Sequence, residues 1–142
     1  MKKVFLDTNI LIDFFSNRSG AFEAGQILRA ANAGEINVFA SLLTFANLAY
    51  IAKHNHTREE VYTALDKFEK LVQTLPMDRK QLRAAIDQPC KDFEDMLQYQ
   101  CALAGGCDVI ITNNKKDFAE YSKLPLLTAA EYISIMSILR ST

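Results

Sequence analysis

The chain has 142 residues, of which 49% are hydrophobic and 23% are charged. This length and apolar fraction exclude a disordered protein and a small scaffold that depends on disulfide bonds. Sixteen Lys and Arg against seventeen Asp and Glu give a formal net charge of −1, which excludes a strongly basic nucleic-acid clamp but not a local basic patch. We therefore predict a single domain over residues 1–142.

The start of the chain combines two lysines with an apolar run, as signal peptides do. Asp7 and Asp13 interrupt this run, and no small-residue cleavage site follows it. No stretch of ~18 uncharged apolar residues is present, so we expect no membrane association. The three cysteines, Cys90, Cys101 and Cys107, lack the C-x-x-C spacing and are odd in number. Reduced thiols in a cytoplasmic protein are the expectation.

Short apolar runs alternate with longer segments of helical periodicity along the chain. In chain order, the pattern predicts a strand over 3–6, helices over 9–15 and 21–33, a strand over 36–40, helices over 42–53, 58–72, 79–86 and 93–104, strands over 109–112 and 125–127, and a helix over 129–139. Strands that alternate with helices are typical of a mostly parallel sheet with helices on both faces. The predicted class is a three-layer α/β/α fold.

Capping residues support the predicted helix boundaries. Gly34 is a plausible stop for the second helix, and either Ser41 or Thr44 is placed to begin the third. Thr57 and Glu60 have the spacing of a capping box, and Asp78 precedes the helix over 79–86.

Polar side chains follow two of the predicted buried strands. Asp7, Thr8 and Asn9 come after the first strand, and residues 113–117 follow the strand over 109–112. In parallel α/β sheets, functional sites lie beyond the carboxyl ends of the strands. Asp92 and Asp95 lie three residues apart and would face the same side of their helix.

Several carboxylates gathered without matching cations repel one another, and a hard divalent cation relieves that repulsion. Mg²⁺ and Mn²⁺ both accept carboxylate and water ligands. A metal held in this way polarises a phosphoryl oxygen and lowers the pKa of a bound water, which favours phosphodiester hydrolysis. Taken singly, however, these residues also have structural explanations. Asp7 and Asp92 are suited to helix capping, Asn47 to a local hydrogen bond, and Asp117 to a turn.

Four segments of the sequence resemble one known family in the same order. They are VFLDTNILID at 4–13, DFED at 92–95, VIITNNKKDF at 109–118 and LLTAAEY at 126–132. The chain resembles the PIN-domain family of metal-dependent ribonucleases, in particular its VapC-like toxin branch. The resemblance covers essentially the whole chain and implies the PIN fold and a Mg²⁺ or Mn²⁺ cofactor. It also implies an RNA substrate, a cognate antitoxin partner and a homodimer.

The resemblance also implies roles for individual residues. The catalytic and metal-binding aspartates correspond to Asp7, Asp95 and Asp117, and Asn114 is a further metal ligand that competes with Asp117 for the fourth position. The supporting residues are Thr8, Asn9, Asn47, Asp92 and Thr112. Lys115 and Lys116, together with Lys53, are expected to contact RNA phosphates.

The sequence departs from the family pattern at position 47. Asn47 stands where the family has a glutamate on the helix after the second strand, and Asn114 is likewise neutral. Fewer charged ligands imply weaker cation binding, or a different cluster that uses Asp92, Glu94 or Asp117. Two hypotheses follow: a metal-dependent ribonuclease toxin, or a catalytically impaired PIN-like module that binds RNA or protein.

Three further features have alternative interpretations. Residues 54–56 spell His-Asn-His, but adjacent positions do not form the site of HNH nucleases, and a solvated helix end is expected there. The apolar stripe in 62–71 indicates either core or a partner-binding surface. A strand ending in Asp also opens haloacid-dehalogenase-like phosphohydrolases, but those need a second Asp where this chain has Asn9.

Overall fold

A five-stranded parallel sheet forms the centre of the computed structural model, which describes residues 2–141 and side chains as far as residue 139. Residues 1 and 142 of the predicted domain lie outside the described residues. The strands are β1 (Lys3–Leu6), β2 (Asn37–Ser41), β3 (Gln73–Leu75), β4 (Val109–Ile111) and β5 (Leu126–Leu127). Their order across the sheet is β3-β2-β1-β4-β5, and every pairing within the described residues is parallel.

Helices connect the strands and cover both faces of the sheet. They are α1 (Thr8–Phe15), α2 (Ala21–Asn32), α3 (Leu42–Ala52), α4 (Arg58–Leu71), α5 (Arg79–Ile86), α6 (Phe93–Ala104), α7 (Lys116–Ala119) and α8 (Ala129–Ser141). Because alternate strand residues point to opposite faces, Val4 and Leu6 join the core under α1, α2 and α8, whereas Phe5 packs towards α6. The predicted three-layer α/β/α class is confirmed.

Most helix boundaries follow the capping signals in the sequence. Ser41 caps α3 by accepting a hydrogen bond from the Thr44 amide, which decides between the two predicted caps. Both bonds of the Thr57–Glu60 capping box are present. Gly34 adopts a φ of 77° just beyond α2, a left-handed conformation that costs glycine little.

Two elements were not expected from the sequence. β3 pairs with β2 at the edge of the sheet, and its residues Gln73 and Thr74 are exposed, so no apolar run marks it. The four-residue helix α7 is too short to carry a helical periodicity, and only Phe118 in it is buried. Both elements are set by tertiary contacts rather than by local pattern.

The sheet places one strand junction at its centre. β1 pairs with β2 on one side and with β4 on the other, and the chain reverses its direction of progress across the sheet between these neighbours. Such a switch point opens a crevice at the carboxyl ends of the strands. Asp7 and Thr112 follow β1 and β4 directly and therefore lie at this crevice.

The structure also bears on the predictions for the cysteines and for membrane-spanning segments. All three cysteines are free, with Cys101 and Cys107 buried and Cys90 half-buried. Burial raises the pKa of the Cys101 and Cys107 thiols to about 11, so both are protonated near neutral pH. None of the helices in the described part of the chain has the length and apolarity needed to cross a membrane.

Candidate metal centre

Asp7 occupies the centre of the crevice and is only 8% exposed. Its carboxylate accepts hydrogen bonds from the Thr8 amide at 2.8 Å and from the Thr112 hydroxyl at 2.9 Å. Burial raises the pKa of this carboxyl, and the two hydrogen bonds oppose that rise. Asp7 is also the N-cap of α1, so the predicted capping role and the predicted site position belong to the same residue. These contacts fix the orientation of its carboxylate.

The beginning of α6 brings further carboxylates to the crevice. Asp92 caps this helix by accepting a hydrogen bond from the Asp95 amide at 3.2 Å. Burial raises the pKa of Asp95 to about 7, and the negative charges of neighbouring carboxylates add to the rise; these are Asp92, Asp7, Asp117 and Glu94. Carboxylates that repel one another in this way favour the binding of a cation among them.

The segment after β4 completes the acidic group. The Thr112 hydroxyl accepts a hydrogen bond from the Asn114 amide at 3.0 Å, which folds the chain back towards α7. Asp117, in α7, lies close enough for its charge to act on both Asp7 and Asp95. Asn114 and Asp117 are both exposed, so burial does not distinguish them as the fourth position of the family pattern.

Position 47 faces the same group from α3. The amide Nδ2 of Asn47 donates a hydrogen bond to Oε1 of Glu94, with the two atoms 2.5 Å apart. The local hydrogen bond expected as a structural role for Asn47 is not the bond found, because its partner is a side chain of another helix. Asn9, by contrast, is a half-buried residue in the first turn of α1.

A cavity of about 300 Å³ opens next to the acidic group. Its walls include Asp92, Asp95 and Asp117, and two lysines, Lys91 and Lys116, stand on the same cavity. Tyr121 also lines this cavity. Its hydroxyl is buried and has no hydrogen-bond partner in the described part of the chain, which is a costly arrangement.

The predicted phosphate-binding lysines differ in their surroundings. Lys115 forms an ion pair with Glu131 at 2.9 Å, which turns it away from a role as a free cation. Lys116 lines the acidic cavity, as does Lys91, which no feature of the sequence had marked as a phosphate contact. Lys53 lies over the ring of Tyr50, 4.4 Å from its centre.

A buried polar network lies beneath the acidic group. Gln98 is 1% exposed, and its amide donates to the hydroxyls of Thr44 at 3.1 Å and Thr8 at 3.3 Å. Its carbonyl accepts from the Ser41 hydroxyl at 2.6 Å, and the two threonine hydroxyls lie 3.0 Å apart. One side chain of α6 is thus bonded to α1 and to the beginning of α3, the elements that carry Asp7 and Asn47.

The donor chemistry of the site fits a hard divalent cation. In the described part of the chain, no Lys, Arg or His forms an ion pair with Asp7, Asp95 or Asp117. The site offers three carboxylates, and that of Asp7 is buried and held by two hydrogen bonds. Carboxylate oxygens are the ligands that Mg²⁺ and Mn²⁺ prefer. Among the described residues, no three acidic side chains converge on a single point. The site therefore fits a divalent cation in the type of its ligands and in their common location at the crevice.

A second surface feature is an apolar groove of about 780 Å³ between α1, α2 and α4. Its lining includes Phe14, Phe15, Leu28, Phe68 and Leu71, with Arg29, Lys67, Glu59 and Glu60 at its polar positions. His56 lines it too: its ring stacks on Phe15 at 4.3 Å and contacts the Ser16 hydroxyl. The expectation of a solvated His56 is therefore wrong, because the ring is half-buried against the aromatic wall.

Comparison with known proteins identifies the family to which this fold belongs. Residues 3–116 match the PIN domain family. The chain belongs to the PIN-domain family, as its resemblance to that family implied, and the phosphohydrolase alternative is set aside.

Individual relatives are similar over nearly their full length. The chain is 24% identical over 137 residues to ribonuclease VapC1 of Aquifex aeolicus (strain VF5), which covers 92% of this chain and 93% of that protein. A toxin–antitoxin complex from Klebsiella pneumoniae contains a chain with 26% identity and a TM-score of 0.66, covering 89% of this chain and 97% of that one. VapBC2 from Rickettsia felis, solved bound to a promoter DNA fragment, has 19% identity, a TM-score of 0.69 and coverages of 89% and 98%.

Sequence reasoning missed the network of Gln98, Ser41 and Thr44 as a support of the site. The sequence did contain a signal for this network. Gln98 lies three residues after Asp95, between the apolar residues Met96 and Tyr99, on a helix face that should be apolar. A lone amide on a buried helical face needs polar partners from other elements. Tyr121 carried no such signal.

The buried network predicts a specific loss of stability. We expect Gln98→Leu to lower the free energy of unfolding by about 2–4 kcal/mol, because it leaves buried hydroxyls without partners. Urea unfolding followed by circular dichroism measures this loss. The matched control is Gln100→Leu in the same helix, since Gln100 is also buried but, among the described residues, its side chain hydrogen-bonds only to the Met96 sulfur at 3.6 Å. Equal losses for the two variants would contradict the role assigned to Gln98.

Proposed function

We propose that this protein is a divalent-metal-dependent ribonuclease of the VapC toxin type, acting in the cytoplasm. The observation that carries the proposal is the buried Asp7 carboxylate, which lies with Asp95 and Asp117 at the switch point of a PIN-domain sheet and has no cationic partner among the described residues. The similarity to a ribonuclease VapC1 over almost the whole chain supports the same activity.

In this proposal, Asp7, Asp95 and Asp117 hold Mg²⁺ or Mn²⁺, and Asn47 and Asn114 are neutral supplements. The bound cation supplies polarisation of a phosphoryl oxygen and a lowered pKa for water. Thr112 and the Thr8 amide keep the Asp7 carboxylate in one orientation, so the site loses little entropy when it is loaded. The bond from Gln98 to Thr8 links α6 to α1, so that Asp95 and Asp7 are held at the same crevice.

RNA phosphates would meet a local positive patch rather than a basic protein. Lys116 and Lys91 both line the acidic cavity, next to Asp95 and Asp117. Their placement brings a phosphodiester to the carboxylates although the net charge of the chain is −1.

The alternative function is a PIN-like module that binds RNA or protein without cleaving RNA. Asn47 favours it, because a neutral amide stands where the family pattern has a glutamate. Such a module would bind its partner equally well without a functional carboxylate at position 7.

We propose that the apolar groove between α1, α2 and α4 receives an amphipathic helix of a cognate antitoxin. The apolar residues Leu28 and Phe68 of the groove are buried and its charged residues Glu59 and Lys67 are exposed, which suits a helix with one apolar face. A solved toxin–antitoxin complex with a chain of the same fold supports this class of partner. The homodimer implied by the family resemblance belongs to the same proposal.

Removal of the central carboxylate tests the ribonuclease. With Mn²⁺ and a single-stranded RNA, we expect wild type to produce cleavage products and Asp7→Asn to reduce the rate by about 100-fold or more, because the fixed ligand loses its charge. Denaturing gel electrophoresis of end-labelled RNA measures the rate, with Asp66→Asn on the exposed face of α4 as the control for equal charge change.

Two outcomes of this assay contradict the proposal. Cleavage that persists in Asp7→Asn at the wild-type rate would place the activity elsewhere. RNA binding without turnover in wild type, unchanged by the substitution, would support the binding module instead.

Filling the groove tests the antitoxin site. A genomic library from the source organism is screened for a protein that suppresses growth arrest caused by the wild-type chain. We expect Thr63→Trp to cause growth arrest that this suppressor no longer relieves, because the indole would occupy the groove from its exposed rim.

The matched control is Glu69→Trp, which lies on the same helix but not among the residues that line the groove. Suppression should remain complete for this variant. Equal suppression of both variants would place the antitoxin on another surface.

A further inference from the structure

We infer that Glu94 supplies, from α6, the fourth carboxylate of the metal centre that the family pattern places at position 47 of α3. This inference rests on the proposed metal-dependent function. It assigns Glu94 to the site as a direct participant and Asn47 as the residue that positions it.

The contact between the two side chains carries the first step. Asn47 and Glu94 belong to different helices, yet the amide Nδ2 of one donates to Oε1 of the other at 2.5 Å. An oxygen of the Glu94 carboxylate therefore lies within hydrogen-bond distance of the end of the side chain at position 47. Since the bond uses one oxygen of Glu94, the second oxygen remains available to a ligand.

The local scaffold fixes both partners relative to Asp7. Asn47 lies one helical turn after Thr44, and Glu94 lies one turn before Gln98. Gln98 and Thr44 are bonded to each other and to Thr8, the residue after Asp7. A single buried network thus supports all three positions from below, and their relative placement follows from it.

The negative charge of Glu94 also supports its place in the site. The Glu94 carboxylate lies within electrostatic range of both Asp7 and Asp95. In the described part of the chain, no Lys, Arg or His forms an ion pair with it. A centre with Asn47 alone would hold three carboxylates, whereas Glu94 brings the number to four. The affinity of oxygen sites for divalent cations rises with the number of charged ligands.

A simpler role for Glu94 is an acid in the first turn of a helix, stabilised by the helix dipole. Glu59 offers the matched comparison, because it is the second residue of α4 as Glu94 is of α6, and it is exposed. A dipole role would make the two glutamates equivalent towards metal.

Calorimetric titration of the full-length protein with Mn²⁺ tests the inference without relying on activity. We expect Glu94→Gln to raise the Kd for Mn²⁺ by about tenfold or more, because it removes the charge but keeps an acceptor for Asn47. Glu59→Gln should stay within about twofold of wild type, since a distant exposed charge is screened by salt. The double variant Asn47→Glu/Glu94→Gln should recover most of the affinity, because it returns the carboxylate to α3.

The outcomes separate this inference from the proposed function. If wild type binds Mn²⁺, Asp7→Asn does not, and Glu94→Gln binds as wild type does, the metal centre stands and the role of Glu94 is wrong. If wild type itself fails to bind Mn²⁺, the metal-dependent function and the role of Glu94 both fail. A double variant that stays as weak as Glu94→Gln would also overturn the exchange of positions 47 and 94.

Discussion

The buried carboxylate of Asp7 is the constraint on which the rest of the site depends. It lies at the end of the central strand, where burial disfavours its charge and only the Thr8 amide and the Thr112 hydroxyl compensate. One donor follows β1 and the other follows β4, so there is one on each side of the switch point. The order of the strands therefore fixes the orientation of the carboxylate. Strongly perturbed carboxylates of this kind are frequent at functional sites. The neighbouring acids of α6 and α7 are arranged around this one orientation.

A network of uncharged polar side chains lies beneath Asp7 and supports the site. Gln98 links the helix that carries Asp95 and Glu94 to Thr8 and to the beginning of α3. Fully bonded buried networks give a unique arrangement to the elements they join, and a partly bonded one would be costly. The acidic residues themselves repel one another and cannot hold these helices together. Uncharged hydrogen bonds, rather than the carboxylates, therefore fix the geometry of the site.

The sequence predicted the layers of the fold because apolar periodicity and capping residues are local signals. The strand of Lys3–Leu6 and the helix of Arg79–Ile86 were predicted with the bounds that the structure has. The edge strand Gln73–Leu75 carries no such signal, since its pairing with β2 arises only in the assembled sheet. The aspartates could be selected from order and resemblance. The bond from Asn47 to Glu94 could not, because it joins helices 47 residues apart in sequence. Lys115 was likewise assigned to phosphate binding without any local sign of its ion pair with Glu131.

The central claim is that a divalent cation binds at the switch point of the sheet and is held by Asp7. The most direct test is a crystal structure of the protein grown with Mn²⁺, with the metal located by its anomalous scattering. The account predicts one strong anomalous peak within coordination distance of Asp7, with Asp95 among the other ligands. An anomalous map without a peak at this crevice, in crystals that hold Mn²⁺ on another surface, would contradict it.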